Sequence, residues 1–403
     1  MSRRRWVIIF AVKGLEVLKF GHSVLHDTDD LPRVARAIKE RIDAGMMPVV
    51  VVSAMGDQTN YLLSLARKVS GKSGNPWVRR ETDMLLTAGE RISMTLLAIA
   101  LNEMGVRAQS FTGSQVGIVT DENFGRARIK EVKLFRITDA LREGTVPVVA
   151  GFQGVSLSRE VTTLGRGGSD LTAVAIATSL GPDVAVRFYK DVGWVYALNP
   201  KRFPDGKRLT RLSYEEALEL TAFGSEVVHT RALALAARKG TKLEVRGLKE
   251  GGTEVSGGLE APGVKAIVLA PVASIIIRNI PDDKDFEAGL LASLADEGIG
   301  VLMLTKTDKE ISITVPAGEA ERAVSLVGDD VGLELIPGRV ILSVIGYGIG
   351  SDPGVRRAAA EAVRNVKVYA MTSSELRLSF LLNAAEAPRV EADLAARFGL
   401  KEV

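Results

Sequence analysis

The 403-residue chain contains no cysteine. This excludes disulfides, thiolate metal sites and a cysteine nucleophile, and it is compatible with a reducing, cytoplasmic setting. There are only three histidines, His22, His26 and His229, and their spacing matches no metal site. Aromatic residues make up 5% and the formal net charge is +3. Arg3-Arg4-Arg5 is the one tight basic cluster, so nothing argues for a nucleic-acid partner. Long apolar runs are also lacking near the start. Trp6–Val12 is apolar but short, Lys13 ends it, and no small-residue cleavage site follows. It falls far below the ~20 residues of a membrane span and reads as a strand or ordered lead-in, with no membrane partner expected.

What is present suits a globular protein of two or three domains: 46% hydrophobic and 25% charged residues. Leu15–Phe20 and 48–53 (PVVVVS) read as strands, with a helix-spaced segment between them at 29–44. The second strand is continuously β-branched, as in a parallel sheet covered on both faces. Further strands are expected at 108–111, 146–152, 183–189 and 242–246. Helices are expected at 81–104, 171–180, 212–220 and 226–239, and 112–129 reads as loop-rich. The alternation defines a doubly wound α/β domain, whose ligands sit at the carboxyl ends of its strands. The stretch 248–262 (LKEGGTEVSGGLEAP) reads as a linker. Beyond it, strand, helix, strand, strand, helix occurs twice with a period of roughly 65 residues, close to the ferredoxin-like arrangement.

The densest chemistry lies in 162–173, TTLGRGGSDLTA. Gly165, Gly167 and Gly168 let the backbone turn tightly. Arg166 offers a planar fork of donors for a carboxylate or phosphate. Ser169 and Asp170 open a helix, where free amides attract anions. Lys19 stands at the end of the first strand before Gly21 and Ser23, a setting that suits phosphate. Ser53 ends the second strand, Glu90 lies in TAGERIS, and Asp191 follows the strand VRFYK ahead of Tyr196 and Lys201. Each has a plainer reading taken alone. These are a solvated lysine, a turn-capping hydroxyl, an ordinary helix-start glutamate and a polar loop with a buried tyrosine.

Together the motifs resemble those of aspartate kinases of the amino-acid kinase superfamily, followed by paired ACT domains. The matching stretches are KFGHSV (19–24), VVVVSAMG (49–56), TAGERIS (87–93), 111–129, 162–177, DVGWVYALNPK (191–201), 212–233, SDPGV (351–355) and TSSELRLS (372–379). The resemblance implies a three-layer α/β sandwich with a mostly parallel sheet, plus two ferredoxin-like ACT domains (α+β). The implied divisions are 1–250, 264–335 and 336–403. The implied reaction moves the γ-phosphoryl group of ATP to the β-carboxylate of L-aspartate, the first step toward lysine, threonine and methionine.

Lys19 and Asp170 become the catalytic pair. The resemblance also implies that Arg166 holds the substrate α-carboxylate and Glu90 its ammonium, with Ser53 and Ser169 orienting it. Lys19, Gly21, Ser23, Lys190, Asp191, Tyr196 and Lys201 line the ATP site. Magnesium rides on the nucleotide phosphates with no protein metal site. An amino-acid effector, lysine or threonine, at the ACT domains and a homodimer formed through them are also implied. Three departures stand out. The phosphate loop KFGHSVL is one residue shorter than the usual KFGGTSV and fits the K-x-G-x-S-V-L form of other acid kinases. Gly193 and Trp194 replace an aspartate and a glycine of TDVDGVY. The first ACT unit lacks the D-x-P-G turn and carries Gly300 where an asparagine is common. Two alternatives therefore stand beside aspartate: a sister kinase for another carboxylate, and an inactive ACT-bearing regulatory subunit.

Overall fold

A computed structural model describes residues 14–70, 75–225, 227–249, 251–258, 262–280, 285–328 and 331–402. The expected lead-in at Trp6–Val12 lies outside them. The chain divides into two compact units. The first comprises Met1–Val195, Arg208–Leu218 and Val227–Leu259, and the second Tyr196–Lys207, Glu219–Glu226 and Glu260–Val403.

In the first unit the strands are Leu15–Phe20 (β1), Met47–Val52 (β2), Ala108–Phe111 (β3), Ile118–Thr120 (β4), Ile129–Val132 (β5), Val146–Ala150 (β6), Gln153–Ser156 (β7), Val161–Thr163 (β8) and Ala185–Tyr189 (β9). The short strand Val195–Tyr196 (β10) straddles the division between the units, and Arg208–Leu209 (β11), Arg211–Ser213 (β12), Leu243–Arg246 (β13) and Gly252–Ser256 (β14) follow. The helices are Leu31–Asp43 (α1), Gln58–Ser70 (α2), Pro76–Leu86 (α3), Ala88–Glu103 (α4), Phe135–Arg142 (α5), Gly168–Leu180 (α6), Tyr214–Ala222 (α7, whose residues from Glu219 are grouped with the second unit) and Thr230–Lys239 (α8). The main sheet runs β12-β14-β13-β9-β1-β2-β6-β3, and its six strands from β13 to β3 are parallel. The chain leaves β1 toward β2 and later returns to β9 on the other side. β1 therefore marks the reversal of strand order where ligands bind in such sheets. A smaller sheet, β5-β4-β7-β8, delivers the chain to the start of α6.

Period-two alternation on β1 decides which side chain meets which helix. Leu18 and Phe20 join the core formed with α1 (Leu31, Val34, Ala35, Ile38) and α4 (Met94, Leu97, Ala98, Leu101). Lys19 lies between them in sequence and so faces the other side of the sheet. That side is covered by α6, which packs on β1, β2 and β9 and carries α8 outside it. Eleven of the thirteen α6 residues are buried, as an all-round apolar helix requires. The layers are thus α1/α4, sheet, and α6/α8.

Local readings differ from the structure in a few places. The expected helix at 212–220 begins as strand β12, because Leu212 pairs with Val255 and Ser213 with Ser256. The expected linker contains β14, whose Thr253 and Val255 are buried against β13. The loop-rich 112–129 contains β4, and α2 and α5 were not legible as helices. Residues Trp77–Glu103 are long and apolar enough to cross a membrane by composition alone. They form α3 and α4, which are half buried in the unit and carry the buried carboxylates Asp83 and Glu90.

The second unit is built on Ala266–Arg278 (β15), Met303–Lys306 (β16), Glu310–Pro316 (β17), Gly332–Ile345 (β18), Ala370–Ser374 (β19) and Arg377–Asn383 (β20). Its helices are Phe286–Glu297 (α9), Ala320–Val324 (α10), Pro353–Val363 (α11) and Ala387–Arg397 (α12). The six strands form one antiparallel sheet, β16-β17-β15-β18-β20-β19. The long strands β15 and β18 pair along their whole length, with a register shift between Val272 and Ser274. Beyond that shift β15 also pairs with β17, and before it the facing half of β18 pairs with β20. Each half is a strand–helix–strand–strand–helix unit, and the two share β15 and β18. Position 335/336 therefore falls inside β18. The first half closes over Ile275, Ile277, Leu290, Leu294, Ile311 and Ile313.

One ionic cluster ties the first unit together. Glu16 on β1 is 1% exposed and accepts two bonds from Arg41 of α1, at 2.8 and 2.9 Å, and one from Arg187 of β9, at 2.7 Å. Breaking a buried pair leaves an uncompensated charge. Glu16→Gln is expected to cost about 2–4 kcal/mol, read as a lower thermal-unfolding midpoint. An unchanged midpoint would show that the cluster holds nothing.

Candidate active site

The first unit brings most of the singled-out residues to the carboxyl ends of β1, β2, β6 and β9. Lys19 is 9% exposed, and its Nζ lies 2.8 Å from Asp170 Oδ1. Asp170 stands in the first turn of α6, and its Oδ2 accepts the His229 amide at 3.1 Å. Burial alone would raise the Asp170 pKa. The charges of Lys19 and Lys190, with the bonds from Lys19 and the His229 amide, outweigh it and hold the group below the ordinary carboxylate range. Asp170 is therefore an ionised brace for the lysine.

Gly21 lies against the tip of Lys19. A Cβ there would stand 2.9 Å from Lys19 Nζ, in the space the amine occupies. The Gly21 carbonyl accepts the amides of Val24 and Leu25, so KFGHSVL closes into a tight turn with Ser23 half-buried and His22 exposed. Ser53 donates its amide to Phe20 O, joining the ends of β1 and β2.

Glu90, in the first turn of α4, is 3% exposed. Its Oε1 accepts the Ala54 amide at 3.2 Å, and Oε2 is buried with no hydrogen-bond partner. Burial pushes its pKa up to about 7, against the opposing pull of the Ala54 amide and the Lys19 charge. An unpaired buried carboxylate oxygen is costly unless a donor arrives. The environment suits a cation carrying several N–H groups.

The loop before α6 presents Arg166, which is exposed. Gly167 has φ +67°, and a Cβ there would overlap the His229 ring. That backbone conformation and that contact leave room only for glycine. Ser169 is buried at the start of α6. Lys190, at the end of β9, donates its amide to Arg246 O, and Asp191 is exposed in the turn that follows. Tyr196 and Lys201 belong to the segment grouped with the second unit. There Ala197 donates to Lys207 O and accepts from Ile267, and Lys207 donates to Leu400 O. Trp194 packs its ring against Gly251.

Three supporting residues were not read from the sequence: His229, Arg231 and Asp83. His229 lies 62 positions after Gly167, a separation that local patterns cannot bridge. Burial lowers its pKa, which favours a neutral ring, and Nδ1 accepts the Arg231 amide at the start of α8. Asp83 stands in the charged stretch Arg79-Arg80-Glu81-Thr82-Asp83, where nothing local sets it apart from a surface carboxylate. Among the described residues no group of three His, Cys, Asp or Glu side chains is placed to hold a metal ion.

The first unit thus gathers a buried lysine–aspartate pair at strand ends, a helix start, an arginine on a glycine loop and a buried carboxylate with one unpartnered oxygen. The description of the amino acid kinase family matches residues 14–247. The chain is 40% identical to the aspartokinase of Corynebacterium efficiens and 38% to that of Mycolicibacterium smegmatis, in both cases over 96% of each chain. The fold superposes on Escherichia coli aspartokinase III in complex with aspartate and ADP, with TM-score 0.80 and 24% identity over 96% of this chain and 100% of that one. Against the Synechocystis aspartate kinase the TM-score is 0.54 at 29% identity, over 97% of this chain and 70% of that one. The chain belongs to the amino acid kinase family. Within that family it falls among the aspartokinases.

The raised pKa of Glu90 has a sign that can be checked. Folded, the group keeps its proton up to about pH 7; unfolded, it loses it near 4.5. Ligand-free stability is therefore lost as pH rises from 4.5 to 7, by on the order of 3 kcal/mol, and is level above that. In Glu90→Gln this contribution is absent, so the variant should gain on the parent between pH 5 and pH 7 in thermal melts. A gap that stays constant across that range would contradict the assignment.

Proposed function

We propose that this enzyme transfers the γ-phosphoryl group of ATP to the β-carboxylate of L-aspartate, giving 4-phospho-L-aspartate and ADP in amino-acid biosynthesis. The observation that carries the reading is the Lys19–Asp170 pair set among Glu90, Ser169 and the Arg166 loop. A carboxylate oxygen attacks phosphorus and the bond to the ADP oxygen breaks, so no proton has to be removed first. The protein's task is positioning and charge cancellation. Lys19 faces the transferred group, and Asp170 fixes its amine. Glu90 receives the substrate ammonium, Arg166 its α-carboxylate, and Ser53 and Ser169 orient it. Gly21, Ser23, Lys190, Asp191, Tyr196 and Lys201 serve ATP, with magnesium carried on its phosphates.

Residues 1–250 form the catalytic domain in this reading, and 264–335 and 336–403 the two ACT domains. These take an amino-acid effector, lysine or threonine, and pair two chains into a cytoplasmic homodimer. Support for an effector comes from the structure of E. coli aspartokinase III with lysine and aspartate, to which this fold has a TM-score of 0.76.

ATP-dependent hydroxamate formation with a panel of acids tests the reading. Turnover with aspartate alone is expected. Turnover with another acid would select a sister kinase, and none at all an inactive regulatory chain. Lys19→Ala should lower kcat by ~10²–10³. Arg166→Ala should raise KM for aspartate by ~10–100-fold with less effect on ATP. A variant of either kind that turned over like the parent would remove that residue from its role.

A further inference from the structure

The segment that presents Arg166 is held in part by two buried side chains, and these lie outside the substrate-facing set. On Thr163, the amide donates to Asp83 Oδ2 at 2.7 Å and the hydroxyl to Asp83 Oδ1 at 2.8 Å. The Thr163 carbonyl accepts the Ala127 amide at 2.9 Å. On Leu164, the amide donates to Phe152 O at 2.8 Å and the carbonyl accepts from Arg231 Nη1. All four main-chain polar groups just before Gly165-Arg166 are thus taken.

The same two side chains also grip the neighbouring loop. Asp83 Oδ2 accepts the Gly125 amide at 3.0 Å, and Arg231 Nη2 donates to Ala127 O at 3.0 Å. Asp83 is 1% exposed, so its three bonds are made away from water, where losing one is expensive. Past the arginine, the Gly168 amide donates to Gly165 O and the Leu171 amide to Gly167 O, so the loop is also closed on its helix side.

Asp83 sits on α3, and α4 begins immediately after Thr87 with Glu90 in its first turn. Thr87 is itself fixed, donating its hydroxyl to Met84 O at 2.9 Å and accepting Gln153 Nε2 at 3.3 Å. One helical elbow therefore carries both the residue that anchors the Arg166 loop and the carboxylate assigned to the substrate ammonium.

We propose that Asp83 and Arg231 are positioning residues for the amino-acid acceptor: they clamp the 163–165 and 125–127 segments and so set the placement of Arg166 relative to Glu90. The assignment rests on the reading of Arg166 as the α-carboxylate clamp. The elbow fixes the spacing between the two groups that recognise the backbone end of the amino acid, while ATP is held by other residues. Loss of the clamp should therefore be felt by one substrate and not the other.

The test is a double-mutant cycle on steady-state kinetics with the full-length chain. Asp83→Asn keeps the shape but turns a donor toward Thr163 or Gly125. It should raise KM for aspartate about tenfold with KM for ATP within about twofold. Arg231→Lys keeps the charge and loses the two-pronged grip. It should shift KM in the same direction by less, and it serves if Asp83→Asn folds poorly. In the Arg166→Ala background, Asp83→Asn should add nothing to KM for aspartate.

An equal rise in both KM values, or a full Asp83→Asn effect in the Arg166→Ala background, would overturn the positioning role and leave Asp83 a structural residue. If Arg166→Ala alone left KM for aspartate unchanged, the clamp reading itself would fail, a separate outcome from the first two.

Discussion

The ion pair between Lys19 and Asp170 is the constraint that most of the first unit serves. An amine on a strand covered by helices on both faces needs a carboxylate, or its desolvation is unpaid. Alternation on β1 sends Lys19 to the α6 side, and α6 begins at the depth that brings Asp170 within 2.8 Å. Gly21 leaves space for the amine, and Gly167 leaves space for the His229 ring, whose backbone amide holds the second oxygen of Asp170.

Two buried carboxylates at the same sheet edge are driven in opposite directions. Asp170 is held ionised by Lys19 and Lys190 despite its burial. Glu90 has one oxygen without a partner and rises to about 7. Environments that separate the pKa values of similar groups mark different tasks. Asp170 works before any ligand arrives, as part of the protein's own frame. Glu90 lacks that support, and in the proposed function its second oxygen is the one that meets the substrate ammonium.

Much of this was legible in the residues. The β-branched run of β2 and the helix spacing of α1 gave the sheet its first parallel unit. The glycine-rich 162–173 stretch marked the loop that leads into α6, because glycine, arginine and helix-start residues are local signals. Legibility failed where tertiary context decides. Leu212 and Ser213 have helix-compatible neighbours but are drawn into the sheet by β14, which itself hid in a glycine- and glutamate-rich stretch. The sharing of β15 and β18 between the two halves of the second unit could not be seen from a tandem repeat, since period alone does not reveal which strand pairs with which. Asp83, Arg231 and His229 act through backbone bonds to residues 42 to 104 positions away, and no spacing rule reaches that far.

The pair at the centre is tested most directly by Asp170→Asn. The informative measurement is the single-turnover rate of phosphoryl transfer at saturating ATP and aspartate, with aspartate affinity measured alongside by calorimetry. If Asp170 acts by fixing the Lys19 amine where charge develops, the rate should fall by ~10²–10³ while affinity changes little. A rate close to that of the parent enzyme would contradict the account.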